Sequence, residues 1–127
     1  MMVEGSQIDW GGHANDGEYT VAELIDFDNT IGKALDFAKK DGNTLVIVTS
    51  DHETGGFTLA SKTKNRENGK KYSDYSEVDI VFSTDGHSAT LIPVFAFGPG
   101  SENFRGIYEN NEIFHKIIEL TGWNSKQ

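Results

Sequence analysis

Apolar residues between positions 19 and 40 fall at Val21, Leu24, Ile25, Phe27, Ile31, Leu35 and Phe37, mostly three or four apart. That spacing predicts an amphipathic helix, with Lys39 and Lys40 suited to its carbonyl end and Gly42 as its stop. The run Thr44-Leu45-Val46-Ile47-Val48-Thr49 is nearly continuous apolar and β-branched sequence. It reads as a strand covered on both faces, as in a parallel sheet flanked by helices. Further short strands are predicted over 57–60, 78–82 and 91–97, the last ended by Gly98-Pro99-Gly100. Residues 61–76 are polar and lysine-rich, and Asn68-Gly69 marks a turn there, so this stretch reads as a solvated insertion or hairpin tip. A final helix is predicted over 111–120, with Ile113, Phe114, Ile117, Ile118 and Leu120 apolar and Gly122 at its end. Residues 6–17, rich in Gly, Asn and Asp, read as loop. Strands alternating with helices predict α/β architecture in a single domain over 1–127, with a partial, mostly parallel sheet. Such a sheet lacks neighbours for its strands, and exposed edges of that kind invite association.

Composition narrows the chemistry. The net charge of −9 argues against a basic nucleic-acid-binding surface, and it would repel a phosphate ester unless cations were held at the site. There is no cysteine, so neither disulfides nor thiolates are available and a tight metal site must use His, Asp and Glu. No apolar run approaches the roughly 20 residues of a membrane span. No signal-peptide pattern is visible, and Met1-Met2-Val3-Glu4 reads as a start placed directly on an interior strand.

The informative residues stand just past the apolar segments. Glu4, Asp9 and His13 follow the opening one, Asp51 and His52 follow the 44–49 run, and His87 lies in a loop after 78–82. Functional groups in open α/β sheets gather beyond the carboxyl ends of strands, and zinc or another divalent cation would collect these donors. Asp9 and His13 are four apart, so a helical turn would place them on one face, but Gly11 and Gly12 between them favour a tight irregular turn. Three protein ligands with an open fourth position describe a catalytic zinc site. Each residue also has an ordinary reading. A lone His in a polar loop is usually solvated, Asp51 could be a cap or turn residue, and Glu4 a surface charge. His115, inside the final helix, reads as structural. GxGxxG, GxxxxGK[ST] and GxSxG are all absent. Pattern alone yields an α/β domain with a His/Asp metal site as one option.

The segments themselves go further. VEGSQIDWGGHAND resembles the alkaline phosphatase motif in which a Glu, an Asp and a His follow VEG, and TLVIVTSDHETGG resembles that family's strand ending in T-[AS]-D-H. GHSATLIPVFAFGPG resembles the third ligand loop and its following strand, and IYENNEIFHKI the terminal helix. The resemblance runs in the family's order from about Val3 to Trp123. It implies an alkaline-phosphatase-like fold and a phosphomonoester hydrolase acting by two-step, in-line phosphoryl transfer between paired metals. Carried over, Asp9, His13 and His87 match the ligands of one zinc, Asp51 and His52 two ligands of a second zinc, and Glu4 a ligand of a third site that takes magnesium. Trp10 stands where other members have Lys or His, which changes the lining of the phosphate pocket. The family's nucleophile motif, its phosphate-binding Arg and its bridging Asp have no counterpart here, and Arg66 and Arg105 match neither motif. The expectation is therefore the C-terminal metal-binding part of such an enzyme, inactive alone. The resemblance further implies a periplasmic or extracellular homodimer acting on phosphate monoesters. Alternatives are a non-catalytic zinc-binding or interaction domain, or a phosphomutase or sulfatase of the same superfamily.

Overall fold

The computed structural model describes residues 1–123. The chain forms two compact units, one made of Met1–Asp26 with His52–Thr90, the other of Phe27–Asp51 with the residues from Leu91 onward. The first unit contains α1 (Ser6–His13), the start of α2 (Gly17–Asp41), β2 (Glu53–Thr54), β3 (Thr58–Asn65), β4 (Lys71–Val81) and β5 (His87–Ser88). The second contains the rest of α2, β1 (Val46–Val48), β6 (Phe95–Phe97), a 3-10 turn (Ser101–Phe104) and α3 (Glu112–Thr121).

Both predicted helices form. The Asp16 carboxylate accepts the Tyr19 amide at 3.0 Å and so caps the start of α2, satisfying a donor that has no partner within the helix. α3 ends at Gly122, whose φ of 64° lies in the left-handed region that a helix stop requires, with its amide donating to the Ile118 carbonyl. One local expectation is corrected, and one is met in its hairpin form. Residues 6–13 form a helix rather than a loop. The predicted strands 57–60 and 78–82 and the polar stretch between them form one long hairpin, β3–β4, with Asn68-Gly69 at its turn. On that hairpin Lys64 lies 2.7 Å from Asp74 and also pairs with Glu77. Hydrogen bonds to those two carboxylates push the Lys64 ammonium up from the usual lysine range.

Sheet direction is the second correction. Among the described residues the strands form three two-stranded ladders, β1–β6, β2–β5 and β3–β4, and all are antiparallel. A continuous apolar run reports that both faces of a strand are shielded and is silent on the direction of its neighbours. Val46, Ile47 and Val48 pair with Phe97, Ala96 and Phe95 in the second unit.

Few of the described residues are buried. Ala38 and Phe104 are buried in the second unit, and Thr20, Gly11 and Gly12 in the first. Leu24 and Ile25 on α2 and Phe95 on β6 keep half or more of their surface exposed. The chain carries more apolar surface than it covers by itself.

Candidate metal centre

The centre is built within the first unit, from α1, the β2–β5 ladder and residue 52 before it. Gly11 and Gly12 are the buried residues of α1. A Cβ on Gly11 would stand 2.6 Å from Thr20 Oγ1, and one on Gly12 would stand 2.9 Å from the Thr54 carbonyl oxygen and 3.0 Å from Thr54 Cβ. The two glycines therefore let the helix press its back against α2 and β2. This close approach offsets their low helix propensity of about 1 kcal/mol each. It also answers the expectation of an irregular turn: Asp9 and His13 are related by a helical turn and share one face, with Asp9 Oδ1 and His13 Nε2 3.6 Å apart.

β5 brings the third donor. Glu53 pairs with Ser88 and Thr54 with His87 in the two-residue ladder. The ladder is held from its far side by Glu53, whose carboxylate accepts from the Phe57 amide at 2.8 Å, the Gly56 amide at 3.2 Å and the Ser88 hydroxyl. Burial pushes the Glu53 carboxyl up, but the Ser88 hydroxyl, the two amides and the nearby His52 outweigh it and hold the carboxyl below its ordinary value.

His87 Nε2 lies 3.2 Å from His13 Nε2, and the His52 ring stacks on the His87 ring with centroids 3.5 Å apart. His13 Nδ1 is 2.6 Å from the Asp85 carbonyl oxygen. A carbonyl can only accept, so Nδ1 is the donating nitrogen, and Nε2 is the ring nitrogen that faces the centre. Such an outer partner is what fixes a metal-binding imidazole.

Among the described residues, Asp9, His13 and His87 form a group whose donor atoms all lie within 4.8 Å of one another. Donors around one tetrahedral zinc, at bond lengths near 2.0–2.1 Å, stand about 3.3 Å apart. The 3.2 Å and 3.6 Å separations match that spacing with little adjustment. Two imidazoles and one carboxylate suit zinc, whereas calcium and magnesium favour shells of oxygen. The donor set fits a three-ligand zinc site.

Of the remaining sequence candidates, His52 adjoins the group through its stacking on His87. Asp51 belongs to the second unit, where the Ser50 hydroxyl lies 3.4 Å from its carboxylate. Glu4 lies exposed in the stretch before α1, outside the group of three. Trp10, beside Asp9, is also largely exposed. Sequence reasoning missed Thr54, the Asp85 carbonyl and the Glu53–Ser88 clamp. Only Thr54 left a signal, because it lies two residues after His52, the spacing that returns a side chain to the same side of an extended chain.

A compact α/β unit presenting two imidazoles and a carboxylate to one point defines the class: an α/β unit with a partly exposed donor group that could hold a metal ion. Comparison with known proteins gives the family. The alkaline phosphatase family model matches residues 1–66 and 59–122. Alkaline phosphatase 4 of Bacillus subtilis is 32% identical, with 94% of this chain and 39% of that protein covered. The alkaline phosphatase of Escherichia coli K12 is also 32% identical, with 96% of this chain and 27% of that protein covered. Among solved structures, a variant of the alkaline phosphatase of the Antarctic bacterium TAB5, with magnesium bound in its M3 site, superposes with a TM-score of 0.90. It is 74% identical, and the match covers 95% of this chain and 35% of that one. The chain belongs to the alkaline phosphatase family. It spans well under half the length of the relatives it matches.

Proposed function

We propose that this chain is the metal-binding part of a zinc-dependent phosphomonoester hydrolase, an alkaline phosphatase whose nucleophile and phosphate-binding Arg lie outside these residues. The observation that carries the proposal is the convergence of Asp9, His13 and His87, with donor atoms within 4.8 Å of one another. Their role here is to hold one zinc; the Asp85 carbonyl orients His13 and the β2–β5 ladder orients His87. When bound, zinc supplies positive charge that polarises a phosphoryl oxygen and offsets the repulsion from a protein of net charge −9. By family resemblance Asp51 and His52 serve a second zinc and Glu4 a third, magnesium site. The family matches run through both compact units, which supports reading 1–127 as parts of one domain. The same resemblance supports a homodimer and a periplasmic or extracellular location; no helix among the described residues is long and apolar enough to cross a membrane.

The test is turnover by the full-length protein on a phosphate monoester, a sulfate ester and a phosphosugar. The proposal expects hydrolysis of the phosphate monoester with a burst that depends on the nucleophile, and none by residues 1–127 alone with zinc added. Preference for the sulfate ester, or phosphate migration on the sugar, would assign the centre to another reaction. A burst from residues 1–127 alone would overturn the placement of the nucleophile elsewhere.

A further inference from the structure

Thr54 stands between two of the residues discussed above and has one proton to give. Its Oγ1 lies 2.5 Å from Asp9 Oδ1 and 3.2 Å from His52 Nδ1. An ionised carboxylate can only accept, so the hydroxyl proton is committed to Asp9. Towards His52 the same oxygen can then act only as acceptor. That arrangement places a proton on His52 Nδ1 and leaves Nε2 as the lone-pair nitrogen of the neutral ring.

We propose that Thr54 is a positioning residue for the centre, fixing the Asp9 carboxylate and selecting the Nδ1–H form of His52 with one hydroxyl. The chain of bonds runs from His52 Nδ1–H to Thr54 Oγ1 and on to Asp9 Oδ1. It ties a ligand of the first zinc to a ligand assigned to the second, so ordering one carboxylate also sets the donor face of one imidazole. The inference rests on the reading of Asp9 and His52 as metal ligands. Its geometry is independent of that reading, since both bonds join protein side chains of the first unit. The placement of Thr54 follows from the fold: its backbone pairs with His87 across the β2–β5 ladder, and its carbonyl oxygen and side chain meet the glycine face of α1.

The experiment compares wild type, Thr54→Val and Thr54→Ser. Valine keeps the branched shape and removes the hydroxyl, while serine restores the hydroxyl. In the metal-free protein at about pH 8, where an ordinary imidazole is neutral, long-range 1H–15N spectra should show His52 protonated at Nδ1 in wild type and Thr54→Ser. In Thr54→Val that signature should give way to the Nε2–H form. Zinc titration should show affinity falling about 10–100-fold in Thr54→Val, the usual effect of losing an outer partner of a ligand, and recovering most of that loss in Thr54→Ser. Wild-type tautomer and affinity in Thr54→Val would overturn the proposal. So would equal loss in Thr54→Ser when circular dichroism shows it folded. If the tautomer changes as stated but zinc affinity does not, the positioning bond stands and the ligand reading fails, which separates the two claims.

Discussion

Replacing Gly12 with alanine tests whether the two candidate ligands on α1 are held by close approach of the helix to β2. The added Cβ would stand 2.9 Å from the Thr54 carbonyl oxygen and 3.0 Å from Thr54 Cβ and Cγ2, where ordinary contact begins at 3.4 Å. None of these atoms is the far end of a flexible chain, so α1 must withdraw by about half an ångström. Overpacking of this kind costs about 1–3 kcal/mol, and the gain in helix propensity from Gly to Ala returns about 0.8–1 kcal/mol. The net loss of stability is therefore small, about 0–2 kcal/mol. Geometry suffers more, because functional sites tolerate displacements of only about 0.5 Å, and α1 carries both Asp9 and His13 away from Thr54 and His87. Zinc affinity, measured by competition with a chromophoric chelator, should drop about 10–100-fold while urea unfolding shows most of the stability retained. Gly32→Ala is the matched control: that glycine lies in α2 with nothing within 4 Å of a built Cβ, so the change should stabilise the protein by about 0.4–1 kcal/mol and leave zinc binding unaltered. Equal affinities for Gly12→Ala and wild type would refute the close-approach argument.

Two further outcomes follow from other parts of the structure. Glu53 is held below its ordinary value, so its contribution to stability is fully present above pH 4.5 and is lost as pH falls through the lower value of the folded state. Glu53→Gln should therefore be less stable than wild type at neutral pH, with the difference vanishing in strong acid, as urea unfolding across a pH series would show; a constant difference at all pH values would count against the clamp. Phe104 is 4% exposed in the turn that packs on β6 and α3, so Phe104→Ala should cost about 3 kcal/mol in urea unfolding, and a loss under 1 kcal/mol would mean that the site is not a packed core.

The elements most legible in the sequence are those whose apolar periodicity and stop signals agree. α2 follows its three-and-four spacing to Lys39 and Lys40, and α3 closes on Gly122. The Asn68-Gly69 signal sits at the hairpin turn, although the paired strands extend well into the polar stretch because cross-strand ion pairs replace apolar burial there. α1 was hidden by its glycines, since local propensity treats them as breakers and only the presence of Thr20 and Thr54 behind the helix explains them. The direction of the strand pairs was equally invisible, because an apolar run such as Val46-Ile47-Val48 is the same read in either direction. For the centre, residue type and motif order pointed to Asp9, His13 and His87, while the Thr54 bridge and the Asp85 carbonyl depend on backbone placement across long sequence separations.

The central question is whether one carboxylate and two imidazoles grip the same ion. Zinc analysis with X-ray absorption of the purified protein, compared with His13→Ala and His87→Ala, measures this directly. The expected result is zinc bound through nitrogen and oxygen at about 2.0–2.1 Å in wild type, and loss of one zinc from each variant. Zinc retained in both variants with an unchanged spectrum would contradict it.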